Sequence, residues 1–351
     1  MYRIDNATAT STLPTPLAPG PVTKGYFQSG NPGIGQLATT VDRDWANATQ
    51  EEFCTVIEAA GITLSKNDHT QLYQALQKLF VTRNKVTTNM TIYVSPTGSD
   101  TTGNGLTAGT AFATIQTAIN VVYTNYDWNG HLCTIQLADG TYPLTAAGAY
   151  QATFNGMPFG MPQYGLTLLG NPANPAAVTL NSTNANCILA NATATLQING
   201  ITVTASGVLT TTSDQGIGIL AAGGSQVQLS SVRAVNCSTV GIRTDNAAYI
   251  VLLTGAPIVI TGNGQYAIFA GEGTQIYAIG STLNVTGFNA SQAVFACDQG
   301  RMSMDSATFI GAATGVRYVV TNCGVITTGG GGANYLPGSS PGVVSAGGIY
   351  T

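Results

Sequence analysis

Four segments between Thr193 and Cys323 align with one another: GIGILAAGGSQVQL, GIRTDNAAYIVLL, AIFAGEGTQIYAI and AVFACDQGRMSM. Anchored on Leu220, Arg243, Phe269 and Phe295, they are spaced by 23, 26 and 26 residues. Each unit alternates apolar and polar residues, breaks at Gly, Asn or Asp, and alternates again. A unit this short cannot bury its own apolar face. It has to stack on its neighbours, and the result is a solenoid. The repeat therefore predicts a mainly β chain built as a parallel β-helix.

In such a stack, turn positions also repeat. Glu272 lies three residues after Phe269, and Asp298 lies three after Phe295. Asn246 has the same offset from Arg243, and Gly223 from Leu220. If the anchors pair, Asn246, Glu272 and Asp298 form one ladder with rungs about 4.8 Å apart. Two carboxylates at close range are the apparatus of glycoside hydrolysis. Like charges held together also raise one carboxyl's proton affinity, which prepares a proton donor. Glu272 and Asp298 are thus candidate catalytic residues. Asn246 and Arg301 are candidate ligand contacts, Arg301 for an acidic sugar. The opposing reading is structural, because solenoid turns select Asp, Asn and Gly for their backbone geometry. A lyase that needs a calcium held by clustered Asp is disfavoured, since the chain has no such cluster.

A second candidate surface is the aromatic excursion over residues 146–163. Tyr150, Phe154 and Phe159, with Tyr164 just beyond, could stack on sugar rings or seal a contact between subunits. His69 and His131 are isolated, and the six cysteines show no CxxC spacing. No metal and no cofactor is expected, and most cysteines read as small buried hydrophobes.

Charge is segregated. Residues 1–85 carry four Lys and three Arg against seven acids. Residues 86–351 have no lysine, and only Arg233, Arg243, Arg301 and Arg317 against eight acids. This excludes a nucleic-acid surface, which needs clustered Lys and Arg. A face of Thr, Asn, Ser and Gln suits a neutral polar partner such as a glycan, or packing against copies of the same chain. No apolar run approaches a membrane span, and MYRIDNATATST has no signal-peptide core.

Four regions follow from these patterns. Residues 1–39 form an extended Pro/Gly/Thr-rich arm. Residues 40–90 hold two helices and a connector: one helix around Trp45, Phe53, Val56 and Ile57, ended by Gly61, and a second after Asn67–Asp68 with Leu72, Leu76 and Leu79 on one face. Residues 91–328 form the β-helix, its open end capped by a helix over 111–122. Residues 329–351 are an irregular tail.

Three stretches resemble known proteins. YRIDNATA, GYFQSGNP and VDRDWANATQEEFCTVIEAAGITLSKNDHTQLYQAL resemble the N-terminal region of bacteriophage tail fibre proteins. IYVSPTGSDTTGNGLTAGTAFATIQTAI resembles the opening of pectate-lyase-like, right-handed parallel β-helix proteins. GVRYVVTNCGVITTGGGGANYLPGSSPG resembles the close of phage tail β-helix proteins. The resemblance implies a homotrimeric tail fibre or tailspike, made in the bacterial cytoplasm and carried on the virion. Residues 1–80 would dock on other tail or baseplate proteins. The β-helix would face the host surface polysaccharide, binding it and in some relatives cleaving it. A purely structural tail component is the third possibility.

Overall fold

The computed structural model describes residues 2–17, 25–80, 83–144, 151–207 and 215–351. The chain divides into two compact units, Met1–Thr82 and Arg83–Thr351.

In the first unit, helix α1 spans Arg43–Ala59 and helix α2 spans Gln71–Leu79. Asp42 caps α1 by accepting from the Trp45 backbone N–H at 2.7 Å, which satisfies one of the free donors of the first turn. The core between the helices is small: Cys54, Ile57, Ala75 and Gln71. Gln71 is buried with its amide fully used. It accepts from Ser65 N–H at 2.8 Å and donates to the Thr63 carbonyl at 2.7 Å, so it fixes the interhelical loop. The expected Leu face of α2 is only partly used, with Leu76 and Leu79 remaining exposed. The start of the arm is tied down rather than free. Arg3 bridges Glu51 and Glu58 of α1, each at 2.7 Å, and Lys66 pairs with Asp5.

The second unit is a parallel β-solenoid with three sheet faces. The first face is a ladder of ten strands, from Met90–Val94 through Gln226–Ser230, Tyr249–Leu252, Gln275–Tyr277 and Arg301–Ser303 to Ile349–Tyr350. The second face runs from Gly140–Leu144 to Thr308–Ile310, and the third from Ala152–Asn155 to Val343–Val344. All pairings between these named strands are parallel. Alternation sends every second residue inward. On the first face the inward column reads Leu166, Leu196, Val227, Ile250, Ile276, Met302 and Ile326, each paired with the next. These side chains are fully buried, and each contributes about 1.5–3 kcal/mol of hydrophobic stabilisation.

The end of the stack is capped by helix α3, Ile115–Thr124, a few residues later than the sequence pattern suggests. It buries Ile115, Ala118, Ile119 and Val122 against the first rungs. Asp100 anchors its start, accepting from Ala113 N–H, Thr114 N–H and the Thr114 hydroxyl. The Asp100–Gly105 loop is therefore a helix anchor. Trp128 is wholly buried and donates its indole N–H to the Val122 carbonyl at 3.0 Å.

The third face corrects the sequence alignment. Leu220 pairs with Arg243 and Arg243 with Phe269, as anchored, but Phe269 pairs with Ala296. Phe295 pairs with Ile268 and points into the core. The last step is thus 27 residues, one longer than the alignment assumed. The extra residue sits in the long strand Phe288–Asp298, whose register shifts between Asn289 and Ala293.

Candidate functional site

The chain leaves the third face through one turn per rung and enters the first. That turn uses left-handed backbone repeatedly: Ala192 and Thr193, Gly223 and Gly224, Asn246 and Ala247, Asn322 and Cys323 all have positive φ. Backbone bonds link the turns vertically. Gly224 N–H donates to the Asn246 carbonyl, Ala247 to Glu272, and Gly273 to Gln299. The real ladder is therefore Gly223, Asn246, Glu272, Gln299. Asp298 stands one position earlier, level with Gly271 and Asp245, and its strand partner is Thr321.

The shift does not scatter the predicted residues. Arg243, Asp245, Asn246, Phe269, Glu272 and Asp298 line one open cleft of about 260 Å³. Arg243 organises it. Its guanidinium pairs with Asp245 at 2.6 Å and lies 5.1 Å from the centre of the Phe269 ring. Gly271 makes room, because a Cβ there would stand 2.3 Å from the Asp245 carboxylate. Asp298 accepts from the Asn322 amide at 2.8 Å. Glu272 is exposed. The cleft thus offers two carboxylates outside the Arg243–Asp245 pair, an amide and part of an aromatic ring. That set can hydrogen-bond hydroxyl groups and shield one apolar sugar face. Nearby, burial pushes the Tyr266 phenol up in pKa, opposed by the Arg243 charge.

The other predicted residues lie elsewhere. Arg301 does not line the cleft. It is on the outward side of the first face, paired with Gln275 and Val325. Phe154 cannot stack on a ligand: it faces inward from Ala152–Asn155 and is wholly buried, because strand alternation turns it toward the core. Phe159 is exposed, with the Arg83 guanidinium 4.9 Å from its ring centre. Tyr150 lies outside the described residues. The sequence reading missed Tyr249 and Tyr277. The signal was present, since both are outward positions of aligned first-face strands.

Among the described residues there is no cluster of His, Cys, Asp and Glu that could hold a metal ion. Cys133, Cys187, Cys237 and Cys297 are buried, and burial pushes the Cys237 thiol up to about 12 and Cys297 to about 11. Both are protonated packing groups at neutral pH. No helix among the described residues is long and apolar enough to cross a membrane.

Fold and cleft together define a parallel β-solenoid with nearly uncharged faces, joined in sequence to a small helical unit. Over 83 residues the chain is 41% identical to the Uncharacterized protein StfP of Escherichia coli (strain K12). The match takes in 24% of this chain and 37% of that protein's length. No family model matches the chain, and no solved structure matches it.

Proposed function

We infer that the chain is a phage tail fibre component that recognises a bacterial surface polysaccharide through its β-helix and attaches to the virion through residues 1–80. The observation that carries the glycan reading is the chemistry of the solenoid's strands. Their outward positions are Thr, Gln, Asn, Ser and Tyr, with no lysine anywhere beyond residue 85. Such a surface offers hydroxyl and amide partners to a neutral polymer and nothing to a phosphate backbone. The tail-fibre reading draws on the resemblance of the N-terminal segments and on the similarity to StfP. The homotrimer belongs to the same reading, and threefold closure suits parallel rods.

The test is binding of labelled protein to capsulated enterobacterial strains and to their polysaccharide-deficient mutants. Binding that disappears with the polysaccharide supports the reading. Equal binding to both overturns it.

A second reading, polysaccharide cleavage, is favoured by Glu272 and Asp298 lining one cleft with Asn246 and Phe269. It predicts a fall in polymer size that Glu272→Gln or Asp298→Asn abolishes. Size-exclusion chromatography of the treated polysaccharide reads it directly.

A further inference from the structure

The outward side of the ten-stranded face carries a patch distinct from the cleft. Tyr249 and Tyr277 lie on adjacent rungs with ring centres 5.0 Å apart. Tyr164 comes in from the preceding loop, and its hydroxyl donates to the Gln226 side-chain carbonyl at 2.9 Å. Gln163 donates to the same oxygen at 2.7 Å. Gln226, Tyr249, Gln275 and Arg301 form one vertical column, each paired with the next. Rungs are about 4.8 Å apart, so Tyr249 and Arg301 are roughly 10 Å apart along the axis.

Charge on this face is unusual. Its ten strands contain no Asp or Glu, and Arg301 is their only charged residue. Arg301 is exposed and makes no ion pair or side-chain hydrogen bond among the described residues. The tyrosines are half-buried, their rings held against each other, so little side-chain entropy remains to be lost on binding. Tyrosine presents an apolar ring with a polar tip, and a guanidinium matches a carboxylate in two-point geometry.

We propose that this face is a binding subsite for an acidic polysaccharide: Tyr249 and Tyr277, steadied by Tyr164 and Gln226, take the neutral sugar rings, and Arg301 takes a uronate carboxylate. The assignment rests on the glycan reading above and adds its place and the class of sugar. A second copy of this chain fits the face poorly, because the same surface on a copy has no carboxylate to answer Arg301.

The experiment uses the full chain and a panel of purified bacterial capsular polysaccharides, half of them neutral and half uronate-bearing, with affinities read by biolayer interferometry. The expected result is binding to uronate-bearing members that weakens at least tenfold in Arg301→Gln and in Tyr249→Ala/Tyr277→Ala, with Glu272→Gln unchanged. Circular dichroism melts check that the variants fold, and Arg301→Lys is expected to recover part of the binding. If the wild type binds and the face variants bind equally well, the face assignment is overturned while the glycan reading stands. If neutral members bind as tightly as acidic ones, the uronate assignment is overturned. If no member binds, both fall. A change in sedimentation of the variants, with no carbohydrate bound by the wild type, makes the face a subunit contact and overturns the proposal.

Discussion

Arg3 holds the arm to α1 through two carboxylates seven residues apart, a spacing that puts both on one side of the helix. The hydrogen bonds from Arg3 lower the pKa of Glu51 and Glu58 below their ordinary value of 4.5. A lowered carboxyl pKa stabilises the folded form above the unfolded value and loses that contribution as pH falls through the folded one. The arm is therefore expected to stay docked at neutral pH and to detach below about pH 4. Exchange of the Ile4 amide, which donates to Gln50 at 2.7 Å, reports the docking. Arg3→Gln should make that exchange fast at every pH. Gly200 makes a second case at this scale. Its φ is +71°, and a Cβ would stand 2.4 Å from the Pro172 nitrogen, a backbone atom that cannot swing aside. Gly200→Ala should cost about 1–3 kcal/mol in a denaturant titration.

At the scale of the element, the strands are held by their inward columns rather than by propensity. Ile250 lies between Val227 and Ile276 and is wholly buried. Ile250→Ala should destabilise the solenoid by about 2–5 kcal/mol, whereas Val251→Ala, one residue along and facing outward, should cost far less. Equilibrium unfolding of the two variants separates them. This period of two is also why the rungs were legible in the sequence: YIVL and QIY announce an inward Ile and outward flanks. The last rung was misread for a local reason. Phe269 and Phe295 look equivalent, yet one points outward and the other inward, because Phe288–Asp298 carries an extra residue across a corner. A bulge leaves no mark in composition. The cleft survived the error because Asp298 and Glu272 shifted by one position within the same turn. The tyrosine patch was invisible for a different reason: it joins strands to a loop residue, Tyr164, and no repeat spacing relates Tyr164 to Tyr277.

For the molecule as a whole, the rungs leave proteases little to grip. The solenoid beyond residue 85 has four arginines and no lysine. Arg233, Arg243 and Arg317 lie half-buried within strands, and Arg301 is exposed but also part of one. Limited digestion of the native protein with trypsin should remove the helical unit and leave one long fragment beginning near Val86. Mass spectrometry of the product checks it. Early cuts at Arg233 or Arg243 would mean that the middle rungs open on their own.

The same confinement of lysine governs how the protein can be handled. Every side-chain amine lies within the first 85 residues. Dyes, biotin and activated resins that react with amines will couple only there and leave all three sheet faces unmodified. A sensor surface prepared by ordinary amine coupling would thus hold every molecule by the same end.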